Sequence, residues 1–272
     1  RFLTSHPNHM TGDLIEAIAT LPKVCEHVNL PVQAGHDATL KRMARRYSVG
    51  QYRDLIGKIK DKLIRSKQDW AAEGRLITGR PDLGHVNRLP PGQKEVKNWP
   101  VLDLGIQPEI PTHAWRLFVD GEVENPRQWK WGEFTDLPKT ALTTDIHCVT
   151  AWSRYDNKWE GVSARDLLDI VKPKAGARHV IFHSYDTYTT NVPLVDFAAD
   201  DVLLAWSWQG EPISREHGGP LRVVIPKLYF WKSAKWIKRV EFSVLDKPGF
   251  WEVRGYHNYG DPWREQRYDD EP

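Results

Sequence analysis

Cysteine is nearly absent from this 272-residue chain. The two present, Cys25 and Cys148, are far apart and form no C-x-x-C spacing. That gives no support to a disulfide framework or a zinc knuckle, and it suits a reducing compartment. Long apolar runs are also missing: none approaches the roughly 18–20 residues that cross a bilayer, so no membrane segment is expected. A surplus of one charge is lacking too, since a net +2 gives nucleic acid no basic surface to grip. No charged n-region followed by an apolar stretch stands at the start, so the sequence predicts a cytoplasmic protein. What is present, 40% hydrophobic and 27% charged residues, is the composition of a folded globular chain.

Tryptophan is absent before Trp70, and all 13 lie at or beyond it. Charge changes along with it. Residues 1–66 carry 11 Lys or Arg against 6 Asp or Glu, whereas residues 67–272 carry 27 against 30. Between the halves stand Gly74, Gly79, Pro81, Gly84, Pro90, Pro91 and Gly92, all breakers of regular structure. The expected domains are therefore 1–66, a linker over 67–87, and 88–272. In the first, apolar spacing predicts helices over 13–21 and 37–46, a strand over 25–33, and a further helix behind a Ser48–Gln51 capping box. This is α/β material, a piece of a sheet or barrel. In the second, strands are expected at 115–121, 179–185, 202–208, 221–226 and 238–245, with one helix over 163–171 capped by Ser163. That domain reads as α+β and mostly β.

Cys148 sits in DIHCVTAWSRYDNKWEGV at what looks like a strand end. It is either a small buried hydrophobe or a thiolate ligand to a soft metal. A lone thiolate cannot hold a metal unless an organic cofactor brings the other ligands. Such a cofactor would be anionic. HGGPLR offers His217 and Arg222 around a Gly-Gly-Pro turn whose missing side chains would admit a ligand to the backbone. FWKSAKW adds Lys232, Ser233 and Lys235, and these cations could clamp a phosphate. An ordinary turn and a solvated lysine face would produce the same letters. SYDTYTTNVPL, rich in hydroxyls and containing Asn191, suits hydrogen bonding to a polar ring system, although its residues are also plain strand formers.

From about residue 88 to the end, HCVTAWSRYDNKWEGV, DTYTTNVPL, GEPISREHGGPLRVVIPKLYFWKSAKW and PGFWEVRGYHNYGDPWREQRY resemble, in order and spacing, the bacterial branch of the sulfite oxidase-like molybdopterin-dependent oxidoreductases. The resemblance implies a molybdenum-molybdopterin cofactor, with Cys148 as the protein thiolate to the metal and His217, Arg222 and Lys235 on the pterin and its phosphate. His147, Thr190, Asn191 and Ser233 would line the pocket. It also implies two-electron oxygen-atom transfer on a small substrate, with electrons exchanged with a separate partner. Animal and plant members carry sulfite-binding arginines close after their cysteine. Here Val149, Thr150, Ala151 and Trp152 follow and Arg154 comes slightly later, a pattern closer to bacterial sulfoxide reductases. Residues 1–63 resemble an internal portion of the radical-SAM tRNA methylthiotransferases, a partial TIM-barrel-like fragment without that family's C-x-x-x-C-x-x-C motif. This implies a fusion and makes Cys25 a core residue.

Two alternatives follow: a methylthiotransferase remnant, or a non-catalytic binding module lined by Trp206, Trp208, Trp231 and Trp236.

Overall fold

The computed structural model describes residues 7–20, 30, 34–72 and 88–269. Cys25 and all of the strand expected over 25–33 except Leu30 lie outside the described residues. What is described divides into two compact units, one holding the N-terminal helices and residues 102–107 and the other the remainder.

The first unit is built from α1 (Gly12–Thr20), α2 (Asp37–Arg42) and α3 (Val49–Ala72). Ile15 and Ile18 share one face of α1 and bury against Ile59 of α3, with Met10 and Leu30 closing the cluster. The capping box at the start of α3 is made in both directions: Gln51 N donates to Ser48 Oγ at 3.1 Å, and Ser48 N to Gln51 Oε1 at 2.8 Å. Helix α2 stops short of residue 46 because Ala44 turns left-handed, at φ 54°.

The second unit holds two sheets. Its elements are β1 (Lys94–Glu95), β2 (Arg116–Gly121), β3 (Arg127–Lys130), α4 (Trp131–Thr135), β4 (Thr140–Cys148), β5 (Trp152–Ser163) and α5 (Ala164–Val171). They continue with β6 (His179–Ser184), β7 (Thr189–Pro193), α6 (Leu194–Phe197), β8 (Leu203–Trp208), β9 (Glu211–Pro212), β10 (Arg222–Val224) and β11 (Ile237–Ser243). One sheet runs β1-β5-β8-β10, with β4 also paired to β5 and β9 to β8; the other runs β3-β2-β11-β6-β7.

All five predicted strands of this unit form, as does the helix capped by Ser163, whose Oγ accepts from Asp166 N at 3.0 Å. Leu117 and Val119 of β2, Phe182 of β6 and Phe242 of β11 meet Val162, Leu204 and Val223 of the first sheet in one core. The sheets therefore stack face to face. Each such side chain contributes roughly 1.5–3 kcal/mol by leaving water. Strands β5 and β8 approach so closely at Gly161 that a Cβ there would lie 2.1 Å from Leu204 O. The sheets match the α+β, mostly β expectation. No helix among the described residues is long and apolar enough to cross a membrane.

Candidate functional site

Strands β4 and β5 form a hairpin closed by Val149, Thr150 and Ala151, with Cys148 paired directly to Trp152. Ala151 N donates to Cys148 O at 3.1 Å and Ala151 sits at φ 65°, the left-handed position that ends a three-residue hairpin loop. The turn aims Thr150 Oγ1 at Cys148 Sγ, 3.2 Å away. The thiol is buried. Burial pushes its pKa up, against the pull of the Thr150 hydrogen bonds and the Arg267 charge. A sulfur so placed stays protonated unless a metal cation displaces the proton.

Cross-strand partners project on the same face, so Trp152 shares the Cys148 side. Its indole N–H is buried and has no hydrogen-bond partner. His147 alternates to the opposite face. There its Nδ1 lies 2.8 Å from Ser153 Oγ, and burial lowers its pKa to about 4. Gln93 joins the two sides, donating from Nε2 to Cys148 O at 3.1 Å and accepting from Ser153 Oγ at 3.3 Å.

A second cluster gathers on β10 and the turns around it. Arg222 is 2% exposed. Its guanidinium donates to His217 O at 2.7 Å, Ser233 O at 2.8 Å and Val223 O at 3.5 Å, and lies 4.1 Å from the Phe230 ring and 5.2 Å from that of Trp99. Among the described residues no carboxylate pairs with it, and burial lowers its pKa to about 9. A buried cation held only by carbonyl dipoles is electrostatically unfinished and calls for an anion.

His217 stacks on Trp99 with centroids 3.8 Å apart. Burial, then the charges of Arg222, Lys235 and Arg154, lower its pKa to about 3. Lys235 Nζ donates to Glu216 O at 2.8 Å and lies over the Trp236 ring at 4.3 Å. Arg154 donates to Asn157 Oδ1 and lies 4.7 Å from the Trp208 ring, and burial lowers its pKa.

The structure gives the Gly-Gly-Pro turn a purpose other than the one expected from sequence. A Cβ on Gly218, whose φ is 108°, would lie 2.8 Å from Lys235 Cβ, and one on Gly219 would lie 2.0 Å from Ile213 O. The glycines thus let this turn pack against its own chain, and the space beside them is filled by protein.

Thr190 and Asn191 form part of a third group. Thr190 Oγ1 donates to Glu252 Oε1 at 2.7 Å, and Asn191 Nδ2 to Asp246 Oδ1 at 2.5 Å and Asn258 Oδ1 at 2.9 Å. Both oxygens of Asn191 accept from Lys232 Nζ, at 2.9 and 3.0 Å, and Lys232 pairs with Glu252 at 2.6 Å. Ser233 Oγ accepts from Ile225 N at 2.9 Å. Protein partners therefore engage the side chains of Thr190, Asn191 and Ser233. The 3-10 turn Phe230–Lys232 spans all three groups: Phe230 covers Arg222, Trp231 stacks on Tyr229, and Lys232 anchors Asn191.

Sequence reading missed Gln93, Trp99, Thr150, Trp152 and Asn157. None stands in a spacing that marks it, because each acquires its place through a cross-strand or cross-sheet partner.

Among the described residues no group of three or more His, Cys, Asp or Glu could hold a metal ion. A metal at Cys148 must therefore bring its other ligands with it. With the orphaned Trp152 N–H and the unmatched Arg222, the residues fit an anionic, metal-bearing organic cofactor.

The family comparison agrees. Residues 104–251 match the oxidoreductase molybdopterin binding domain, and the chain belongs to that family. It is an oxidoreductase whose cofactor is molybdenum-molybdopterin. It is 46% identical over 182 residues to the uncharacterized oxidoreductase YuiH of Bacillus subtilis, a match covering 66% of this chain and 92% of that one. It is 29% identical over 178 residues to the sulfite oxidase of Arabidopsis thaliana, covering 53% of this chain and 45% of that one. Over 81 residues, 30% of this chain, it is 60% identical to the tRNA-2-methylthio-N(6)-dimethylallyladenosine synthase of Roseiflexus, of which it spans 16%.

Proposed function

We propose that this oxidoreductase carries out two-electron oxygen-atom transfer on a small sulfur or nitrogen oxo substrate and exchanges the electrons with a separate protein. In the oxidising direction, substrate and water become oxygenated substrate, two protons and two electrons; sulfoxide reduction is the reverse. The bound molybdenum supplies the redox chemistry. Cys148 offers its thiolate, and Thr150 Oγ1 holds that sulfur in place through its hydrogen bond. Arg222, with His217 and Lys235, binds the phosphate end of the cofactor, and Arg154 adds positive charge beside them. Trp152 offers its indole N–H within the Cys148 face. His147, Thr190, Asn191 and Ser233 brace the wall of the pocket through their own partners.

The observation that carries this reading is the buried Arg222 guanidinium, whose partners are main-chain carbonyls. Protein from a host that makes the cofactor should hold about one molybdenum per chain, and Cys148→Ser should lose it. Arg222→Gln should weaken cofactor retention by at least about 30-fold, the cost of removing a charge from a buried pair. A screen of sulfite, sulfoxides and N-oxides with dye donors and acceptors then assigns the substrate and direction. Iron in place of molybdenum would contradict the reading.

A further inference from the structure

No arginine directly follows Cys148, yet a cation reaches that end of the site from the C-terminal segment. Arg267 Nε donates to Tyr229 Oη at 3.1 Å, while Nη2 lies 3.4 Å from Pro91 O and 3.5 Å from Glu265 Oε1. Tyr229 also hydrogen-bonds Gln93, the side chain that donates to Cys148 O. Arg267 is thus connected to the thiol-bearing turn through Tyr229 and Gln93, and its charge acts on the Cys148 sulfur.

Its seat is shaped for it. Gly92 has φ 67°, and a Cβ there would lie 2.8 Å from both Arg267 Nη2 and Glu265 Oε1. Only the absence of a side chain leaves room for the guanidinium. The Glu265 carboxylate is 50% exposed, so turning it into water costs little. The planar fork of a guanidinium matches an oxyanion in shape as well as charge.

We propose that Arg267 is a positioning residue that holds a small sulfur oxyanion at the Cys148 end of the site. This rests on the reading that Cys148 bears the metal. It gives a chain lacking the arginines that follow the cysteine in animal and plant sulfite oxidases a cation from a different part of the sequence. The substrate it selects is charged, in preference to a neutral sulfoxide.

The test uses molybdenum-loaded wild type, Arg267→Gln and Arg267→Lys. Each is titrated with sulfate, a non-reacting oxyanion of the same class, with tryptophan fluorescence as the readout. Sulfite oxidation and reduction of neutral dimethyl sulfoxide are then measured with dyes on the same samples. Wild type should bind sulfate saturably. In Arg267→Gln, sulfate affinity and the KM for sulfite should worsen by about 10- to 100-fold, with kcat and the KM for dimethyl sulfoxide little changed. Arg267→Lys should fall between, at equal molybdenum content.

Wild-type protein blind to sulfate, or a glutamine variant that matches wild type, overturns the inference, as does equal loss on the neutral substrate. Should the glutamine variant melt early, the lysine variant decides. Absence of molybdenum from wild type sinks the metal assignment instead, while the sulfate titration still judges Arg267.

Discussion

A lysine ammonium sealed from water has to be matched inside the protein, and Lys232, with a side chain 0% exposed, is matched by Glu252, Asn191 and the carbonyl of Asn258. Burial pulls its pKa down and Glu252 pulls it back up. Glu252→Gln leaves the charge with neutral partners only and should cost about 3–5 kcal/mol, read as a lower urea midpoint by tryptophan fluorescence.

His217 makes a second prediction, for cofactor-free protein. Its folded pKa of about 3 lies below the ordinary value of 6.5, so the native state binds fewer protons than the unfolded chain between those values. Stability is therefore full above pH 6.5 and lost as pH falls towards 3. Between pH 7.5 and 5 the loss should be about 2 kcal/mol larger in wild type than in His217→Phe. Parallel curves would contradict this. The groups facing that ring are Arg222, Lys235 and Arg154, with Glu216 Oε1 3.8 Å from Nε2.

At the scale of elements, the features legible in the sequence were those made by neighbours in the chain. The Ser48–Gln51 box and the Ser163 cap each join residues three apart, so their letters alone suffice. The hydrophobic strands β2, β6, β8, β10 and β11 announce themselves by apolar runs. The hairpin β4–β5 does not, because its polar threonines and charges occupy an exposed face and only the pairing of Cys148 with Trp152 defines its end. Asn191 was legible as a polar candidate, but its engagement with Lys232 and Asn258 comes from residues distant in sequence. Close strand spacing is likewise invisible until the partner is known. Gly161→Ala would push a Cβ into Leu204 O and should destabilise the β-rich unit by about 3 kcal/mol, measurable as a shifted urea midpoint with the cofactor absent.

For the whole molecule, the change in tryptophan content and charge near residue 66 signalled two kinds of chain, and the described residues form two compact units with separate cores. Each unit buries its own apolar faces, which motivates the proposal that residues 88–272 function without the rest. A protein beginning at residue 88 should load molybdenum to the same level as the full chain. Loss of loading on truncation would assign the first part a role in folding or cofactor insertion.

The cofactor was legible only through resemblance, since one cysteine and scattered cations have an ordinary structural reading. The fold adds the reason they matter: a buried thiol beside an orphaned indole N–H, and a buried guanidinium with no carboxylate. The most direct measurement is X-ray absorption at the molybdenum edge on wild type and on whatever metal Cys148→Ser retains. The account predicts a sulfur shell that loses one member in the variant. An unchanged shell, or a wild-type thiol that still reacts as free cysteine in molybdenum-loaded protein, would contradict it.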